Sequence, residues 1–319
     1  MDYVLGPPVR EQNGDCVVRL ADDARKCVVF LGTPAVGVED DLEAIWGTGF
    51  LVSTADTGTI YLVTARHVIQ KFIDCPFAIR FNDKNGGSQN FPIDFADWQF
   101  HPTDETVDVA ILAITPPIWA EWEPFHQKPG IMDAFKFASK DIGPGDIVYT
   151  VGLWRFLPGK KRNKPFVHVG HLGMVPGDDD RLVVKDWMPG REKKRVEVEG
   201  YLTEGEPLRG ASGSPVFVRR TLDTGKGLYP KDRNAKAWVH GSVWLLGLMS
   251  DCYFERVPPD LLIGEPDIPR GTNIVVPSMK INEVLDQHTL KEARRSASAE
   301  QKKKNAVLPK KVGRRPERR

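Results

Sequence analysis

Cysteine is scarce in this chain, four in 319 residues, at positions 16, 27, 75 and 252. None forms a Cys-x-x-Cys pair or sits at metal-ligand spacing, which argues against a zinc ribbon or a dithiol redox site. Long hydrophobic runs are missing as well. The start, Met1-Asp2-Tyr3-Val4, offers no basic segment followed by an apolar core, so no signal peptide is expected. No run approaches the ~20 apolar residues of a membrane helix, so no membrane span is expected either. Gly47-Thr48-Gly49 lacks the lysine and following helix of a phosphate loop. His168 and His171 lie three apart in an extended segment and face opposite sides, a poor arrangement for sharing an ion. Asp178-Asp179-Asp180, after Pro176-Gly177, reads as a hairpin tip without the spaced oxygen ligands of a calcium loop. Sustained helical periodicity is nearly absent.

Short β-branched and aromatic runs recur instead between Gly, Pro, Asn and Asp, the pattern of an all-β sandwich or barrel. A first set of strands is expected at 27–32, 49–53, 59–64, 77–81 and 108–114. Pro116, Pro117, Pro124 and Pro129 mark a crossing segment. A second set is expected at 146–152, 166–173, 181–185, 195–202, 214–219, 243–250 and 272–276. Ser278 could cap a helix in which Ile281, Val284 and Leu285 form one apolar face. The net charge is only +1, yet residues 289–319 hold twelve Lys or Arg against three Glu. The body is therefore acidic and the tail basic. The tail has too little apolar surface to repay ordering and is expected to be disordered, with an anionic partner, nucleic acid included, as its functional option.

The richest stretch is Gly210-Ala211-Ser212-Gly213-Ser214-Pro215-Val216-Phe217, a serine held between glycines in a turn that leads into an apolar strand. A serine hydroxyl needs a general base, and the base needs a carboxylate to orient it. His67 closes the run Ile60-Tyr61-Leu62-Val63-Thr64-Ala65-Arg66-His67, and Asp108 opens Asp108-Val109-Ala110-Ile111-Leu112-Ala113-Ile114. Asp104 competes with Asp108 but sits in a polar turn. Ser214 competes with Ser212 but runs directly into Pro215 and a strand. Singly, each block is ordinary loop or strand-end chemistry; the combination in one chain points to nucleophilic catalysis.

Thr64-Ala65-Arg66-His67-Val68, Asp108-Val109-Ala110-Ile111-Leu112 and Gly210-Ala211-Ser212-Gly213-Ser214-Pro215 resemble the histidine, aspartate and serine motifs of the chymotrypsin-like (trypsin-like) serine peptidases. The likeness is to their bacterial, disulfide-free type. Gly47-Thr48-Gly49-Phe50-Leu51-Val52 and Leu246-Gly247-Leu248-Met249-Ser250 resemble flanking strands of that family. The resemblance implies an all-β fold of two six-stranded antiparallel β-barrels with a C-terminal helix, followed by the basic tail that the composition marks. Its parts would be an N-terminal extension (1–25), a first barrel with His67 and Asp108 (26–120), a crossing (121–143), a second barrel with Ser212 (144–277), a helix (278–289) and the disordered tail (290–319).

The resemblance further implies a serine endopeptidase acting on a protein or peptide substrate without a cofactor. His67, Asp108 and Ser212 would form the triad and the N–H groups of Gly210 and Ser212 the oxyanion hole. Ser250 would support Asp108 and pair with substrate, and Glu206, six residues before Ser212, is a candidate floor for a pocket taking Lys or Arg. An exposed loop position is the competing reading for Glu206. Val68 stands where many secreted relatives have a bridged cysteine, which suggests a reducing, cytoplasmic setting. Ala211 stands where zymogen-forming relatives carry aspartate, so no N-terminal cleavage is expected to be needed. A catalytically silent peptide-binding relative is the alternative function, and a binder of nucleic acid or an anionic surface through the tail is another.

Overall fold

The computed structural model describes residues 20, 23–34, 42–70, 73, 76–94, 97–132, 137, 139–177, 180–186, 194–206, 208–220, 243–256 and 267–307. Most of the expected N-terminal extension, Cys16, Cys75, Asp178, Asp179 and residues 308–319 lie outside them. No helix among the described residues is long and apolar enough to cross a membrane.

A short helix α1 (Asp23–Lys26) leads into β1 (Val28–Pro34), β2 (Leu42–Ser53) and β3 (Ile60–Thr64). The helical turn α2 (Arg66–Gln70) follows, then β4 (Phe77–Asn82), β5 (Ser88–Ile93), β6 (Gln99–Phe100), β7 (Ala110–Ala113) and β8 (Phe125–His126). These strands form one sheet in the order β5-β4-β1-β2-β3-β7-β6, with β8 parallel to β2. The expected closed six-stranded barrel is not formed here by pairing among the described residues. The edge strand β6 is two residues long, too short to carry a ladder round to β5.

After the turn α3 (Gln127–Gly130) come β9 (Ile147–Gly152), β10 (Phe166–Met174), β11 (Leu182–Lys185), β12 (Arg195–Val198), β13 (Tyr201–Glu204), β14 (Pro215–Arg219), β15 (Trp244–Arg256) and β16 (Asp267–Pro277). Six of them close a barrel, β10-β13-β16-β15-β14-β9. The single strand expected over 195–202 is instead two, divided at Glu199-Gly200. Among the described residues β11 and β12 pair with each other and not with the barrel, and Gly200, where a Cβ would sit 3.0–3.4 Å from Leu182, Ile274 and Val275, lies between β12 and the barrel strand β13.

The main core runs across both halves. Phe30, Phe50, Leu62, Val63 and Ile111 of the first sheet join Val151, Phe217 and Leu245 of the barrel, all fully buried. The barrel keeps a second, smaller cluster around Leu172, Val216, Leu246 and Val275. Cys27 and Cys252 are buried free thiols, and burial pushes each up to about 12.

Helix α4 (Ser278–Leu285) buries Ile281, Val284 and Leu285 as their spacing predicts. Ser278 does not cap it. Pro277 holds that position, and the Ser278 hydroxyl donates to the Met132 carbonyl at 2.9 Å. The larger correction is the tail: residues 288–307 form helix α5 (His288–Val307) rather than disordered chain. Leu290 packs on the main core. Arg294, 4 % exposed, donates from Nε to both carboxylate oxygens of Asp56 at 3.0 Å and from Nη1 to the Leu285 carbonyl. Two anchors one turn apart, in a stretch of good helix formers, outweigh the composition argument.

Candidate active site

β3 stops at Thr64, and α2 turns the chain so that Val68 and Ile69 enter the core while His67 is left half-buried at the surface. Asp108 lies two residues before β7 and is 2 % exposed. It accepts three hydrogen bonds: from the backbone N–H of His67 at 2.9 Å, from His67 Nδ1 at 2.7 Å, and from Ser250 Oγ at 2.6 Å. A carboxylate bonded on both oxygens cannot turn, and it holds the imidazole with Nε2 free of it. Asp104, the sequence competitor, is engaged elsewhere, accepting from the Thr106 N–H and hydroxyl at 2.8 and 2.6 Å.

The serine turn comes from the other half. Ser212 is half-buried, whereas Ser214 is fully buried with its hydroxyl unpartnered, so of the two only Ser212 presents a hydroxyl at the surface. Ser212 Oγ donates to the Ser250 carbonyl at 3.3 Å and not to His67. Gly210 has φ +96° and Gly213 φ +83°, conformations that side chains resist. A Cβ at Gly213 would strike the Thr48 carbonyl and Thr64 Oγ1.

Backbone hydrogen bonds fix where the turn's amides point. The Arg209 carbonyl accepts from Arg155 N–H at 3.0 Å, and the Ala211 carbonyl accepts from Ser214 N–H at 2.9 Å. In a planar trans peptide the N–H lies opposite the carbonyl. The N–H groups of Gly210 and Ser212 therefore face away from those partners, and among the described residues neither donates to a carbonyl. Thr48 ties the turn to the first half. Its N–H donates to the Ser212 carbonyl at 3.0 Å, and its Oγ1 donates to the Gly210 carbonyl at 2.9 Å while accepting from Leu153 N–H at 2.9 Å. Sequence reading recognised Thr48 only as part of a strand block; a hydroxyl between two glycines, where no neighbour competes for space, was the available signal.

A cavity of about 170 Å³ opens beside His67, Asp108 and Ser250, with Val184 and Val198 of the β11–β12 hairpin on its wall. Asp251 also lines it. Although the residue retains exposed surface, crowding of its carboxyl by protein atoms pushes its pKa up, and the nearby charge of Asp108 adds to that while Cys252 N–H and His67 oppose it. Glu206 is exposed and does not line this cavity.

The family profile described as "Trypsin-like peptidase domain" matches residues 47–221, a span that holds His67, Asp108 and Ser212 and leaves Ser250 outside. The chain belongs to the trypsin-like peptidase family. Curated proteins give no match. Among solved structures, the chain is similar to the MamO protease domain from Magnetospirillum magneticum, with 15 % identity, 82 % of this chain and 96 % of that one covered, and a TM-score of 0.47. It is also similar to the Rv3671c protease from M. tuberculosis in its active form, with 17 % identity, 88 % and 92 % covered, and a TM-score of 0.42.

Proposed function

We propose that the protein is a serine endopeptidase that cleaves peptide bonds through an acyl-enzyme intermediate. The observation that carries this reading is the clamp on Asp108, which holds His67 Nδ1 at 2.7 Å and is joined through Ser250 to a glycine-framed serine whose turn leaves two amides without a carbonyl partner among the described residues. His67, with Nδ1–H given to Asp108, would accept the Ser212 proton at Nε2. Ser212 Oγ, turned from the Ser250 carbonyl toward His67, would attack the substrate carbonyl. The amides of Gly210 and Ser212 would hold the oxyanion, and His67 would return the proton to the leaving amine before water releases the acyl group. The same reading takes the eight-stranded sheet as the counterpart of a first barrel, with the triad on the seam between it and the closed barrel.

The test is active-site labelling. A fluorophosphonate probe should modify Ser212, as located by mass spectrometry, and fail to modify His67→Ala. A folded wild-type protein that binds peptides yet never labels would replace this reading with that of a silent peptide-binding relative.

A further inference from the structure

Arg80 is 2 % exposed in the middle of β4, among Phe77, Ile79 and Phe81, and far from any surface role. A buried guanidinium is retained only where its donors are filled. Here they gather the backbone of one loop. Nη1 donates to the Gly159 carbonyl at 3.0 Å and Nη2 to the Lys160 carbonyl at 2.8 Å. Nε donates to Ser88 Oγ at 2.8 Å, and that hydroxyl donates to the Lys161 carbonyl at 3.1 Å. Three consecutive carbonyls are thus held from one side chain and its neighbour, which the planar fork of arginine suits and an ammonium does not. Asn163 closes the seam, donating from Nδ2 to the Arg80 carbonyl at 2.6 Å and from its N–H to Asn82 Oδ1 at 2.6 Å.

The other end of this loop touches the serine turn. Leu157 N–H closes a turn on the Trp154 carbonyl at 2.9 Å, and Lys164 N–H closes the loop on the Pro158 carbonyl at 2.9 Å. Arg155 N–H holds the Arg209 carbonyl at 3.0 Å, and the Leu153 side chain lies where a Cβ on Gly210 would meet it at 2.7 Å. The peptide between Arg209 and Gly210 is the one whose N–H faces the candidate oxyanion position. Residues 153–163 are therefore a strut with one foot on Arg80 and the other on that peptide.

We propose that Arg80 is a positioning residue for the oxyanion site, keeping the Gly210 N–H aimed by bracing the 153–163 loop; this rests on the peptidase reading given above. Without the brace, the Arg155 N–H can leave the Arg209 carbonyl, and a peptide free to rotate no longer presents a fixed donor. Losing one such donor costs on the order of 10² to 10³ in kcat. Partial loosening should cost less.

The experiment is steady-state peptide hydrolysis with Arg80→Lys, Ser88→Ala, Arg155→Pro and the double variant Arg80→Lys/Arg155→Pro. Arg155→Pro deletes the N–H that meets Arg209 without touching Arg80. We expect kcat to fall about 10- to 100-fold in Arg80→Lys and about 3- to 10-fold in Ser88→Ala, with KM within about 3-fold of wild type. The affinity of a peptide aldehyde, which forms an oxyanion, should fall in step with kcat/KM, while that of the cleaved product should hold. The double variant should be no slower than the slower single one, since both act on one peptide. Additive losses, or equal losses in aldehyde and product binding, would overturn the assignment, as would full activity in Arg80→Lys. If Arg80→Lys does not fold, Ser88→Ala against Arg155→Pro makes the same comparison. A wild type that fails to label at Ser212 removes the peptidase reading itself, a result distinct from an active wild type that is indifferent to Arg80.

Discussion

The two halves of the molecule hold the residues of the candidate site by different means. In the first half, the buried Asp108 carboxylate holds His67 by its ring and its backbone N–H, and Ser250 of the barrel supplies its third donor. In the second, the Ser212 turn is fixed almost wholly through its backbone, by carbonyls tied to Thr48, Arg155 and Ser214 and by two glycines at positive φ. Side-chain deletion should therefore be the way to damage the first half, and backbone or loop changes the way to damage the second.

If the proposed peptidase reading holds, the largest effects should come from the first half and from Ser212. Ser212→Ala and His67→Ala should abolish labelling, and Asp108→Asn should lower kcat about 10⁴-fold, because an amide no longer selects the His67 tautomer. Probe labelling checks the first two and peptide hydrolysis the third. Next, Gly210→Ala should lower kcat about 10²- to 10³-fold by displacing one oxyanion donor, with KM changed far less. A Gly210→Ala enzyme of normal kcat would mean that backbone aim is not what the second half supplies. Ser250→Ala, which leaves Asp108 with two of its three bonds, should cost about 10-fold in kcat and about 1 kcal/mol of stability, read by denaturant melts.

Smaller still is the contribution of α5. Removing residues from 288 onward should cost about 2 kcal/mol, since Leu290 and Arg294 leave the body together. Burial pulls the Asp56 carboxyl up, but the hydrogen bonds and charge of Arg294, with Thr54, outweigh it and hold the group below its ordinary 3.8. A depressed carboxylate adds stability above its unfolded value and loses it as the pH falls through the folded value. The truncation should therefore matter at pH 7 and matter less below about pH 3.8, a difference that melting curves at the two pH values would register. The least effect is expected from Glu206→Ala, which should leave the preference in a peptide library unchanged.

What could be read from sequence was whatever local chemistry forces. Ser212 stood out because its turn needs glycines on both sides, and Asp108 because a carboxylate opened an otherwise apolar strand. The α4 face was legible because Ile281, Val284 and Leu285 repeat at helical spacing. The rest depends on contacts between distant residues. Nothing near Arg294 distinguishes it from the other basic residues of its helix, and the approach of Asp56, 238 positions away, with the Leu285 carbonyl, makes it an anchor. Arg80 reads as an interruption of a buried strand until the 158–163 loop arrives to meet it. Residues 181–185 and 195–202 read as barrel strands because their β-branched and aromatic runs say nothing of partners, and the division at Glu199-Gly200 shows in the pairing, β12 on β11 and β13 on β16.

The Thr48 bond to the Ser212 carbonyl, 3.0 Å from one half to the other, makes the serine turn a gauge of how the halves sit together. A rotation that opened the seam by about an ångström would break this bond, the Thr48 link to Gly210 and the approach of His67 at once, while leaving each half folded. In a urea titration, activity should vanish before the fluorescence of the eight tryptophans reports unfolding. On the proposed reading, anything that pries the halves apart would abolish peptide hydrolysis reversibly while leaving every side chain of the site in place.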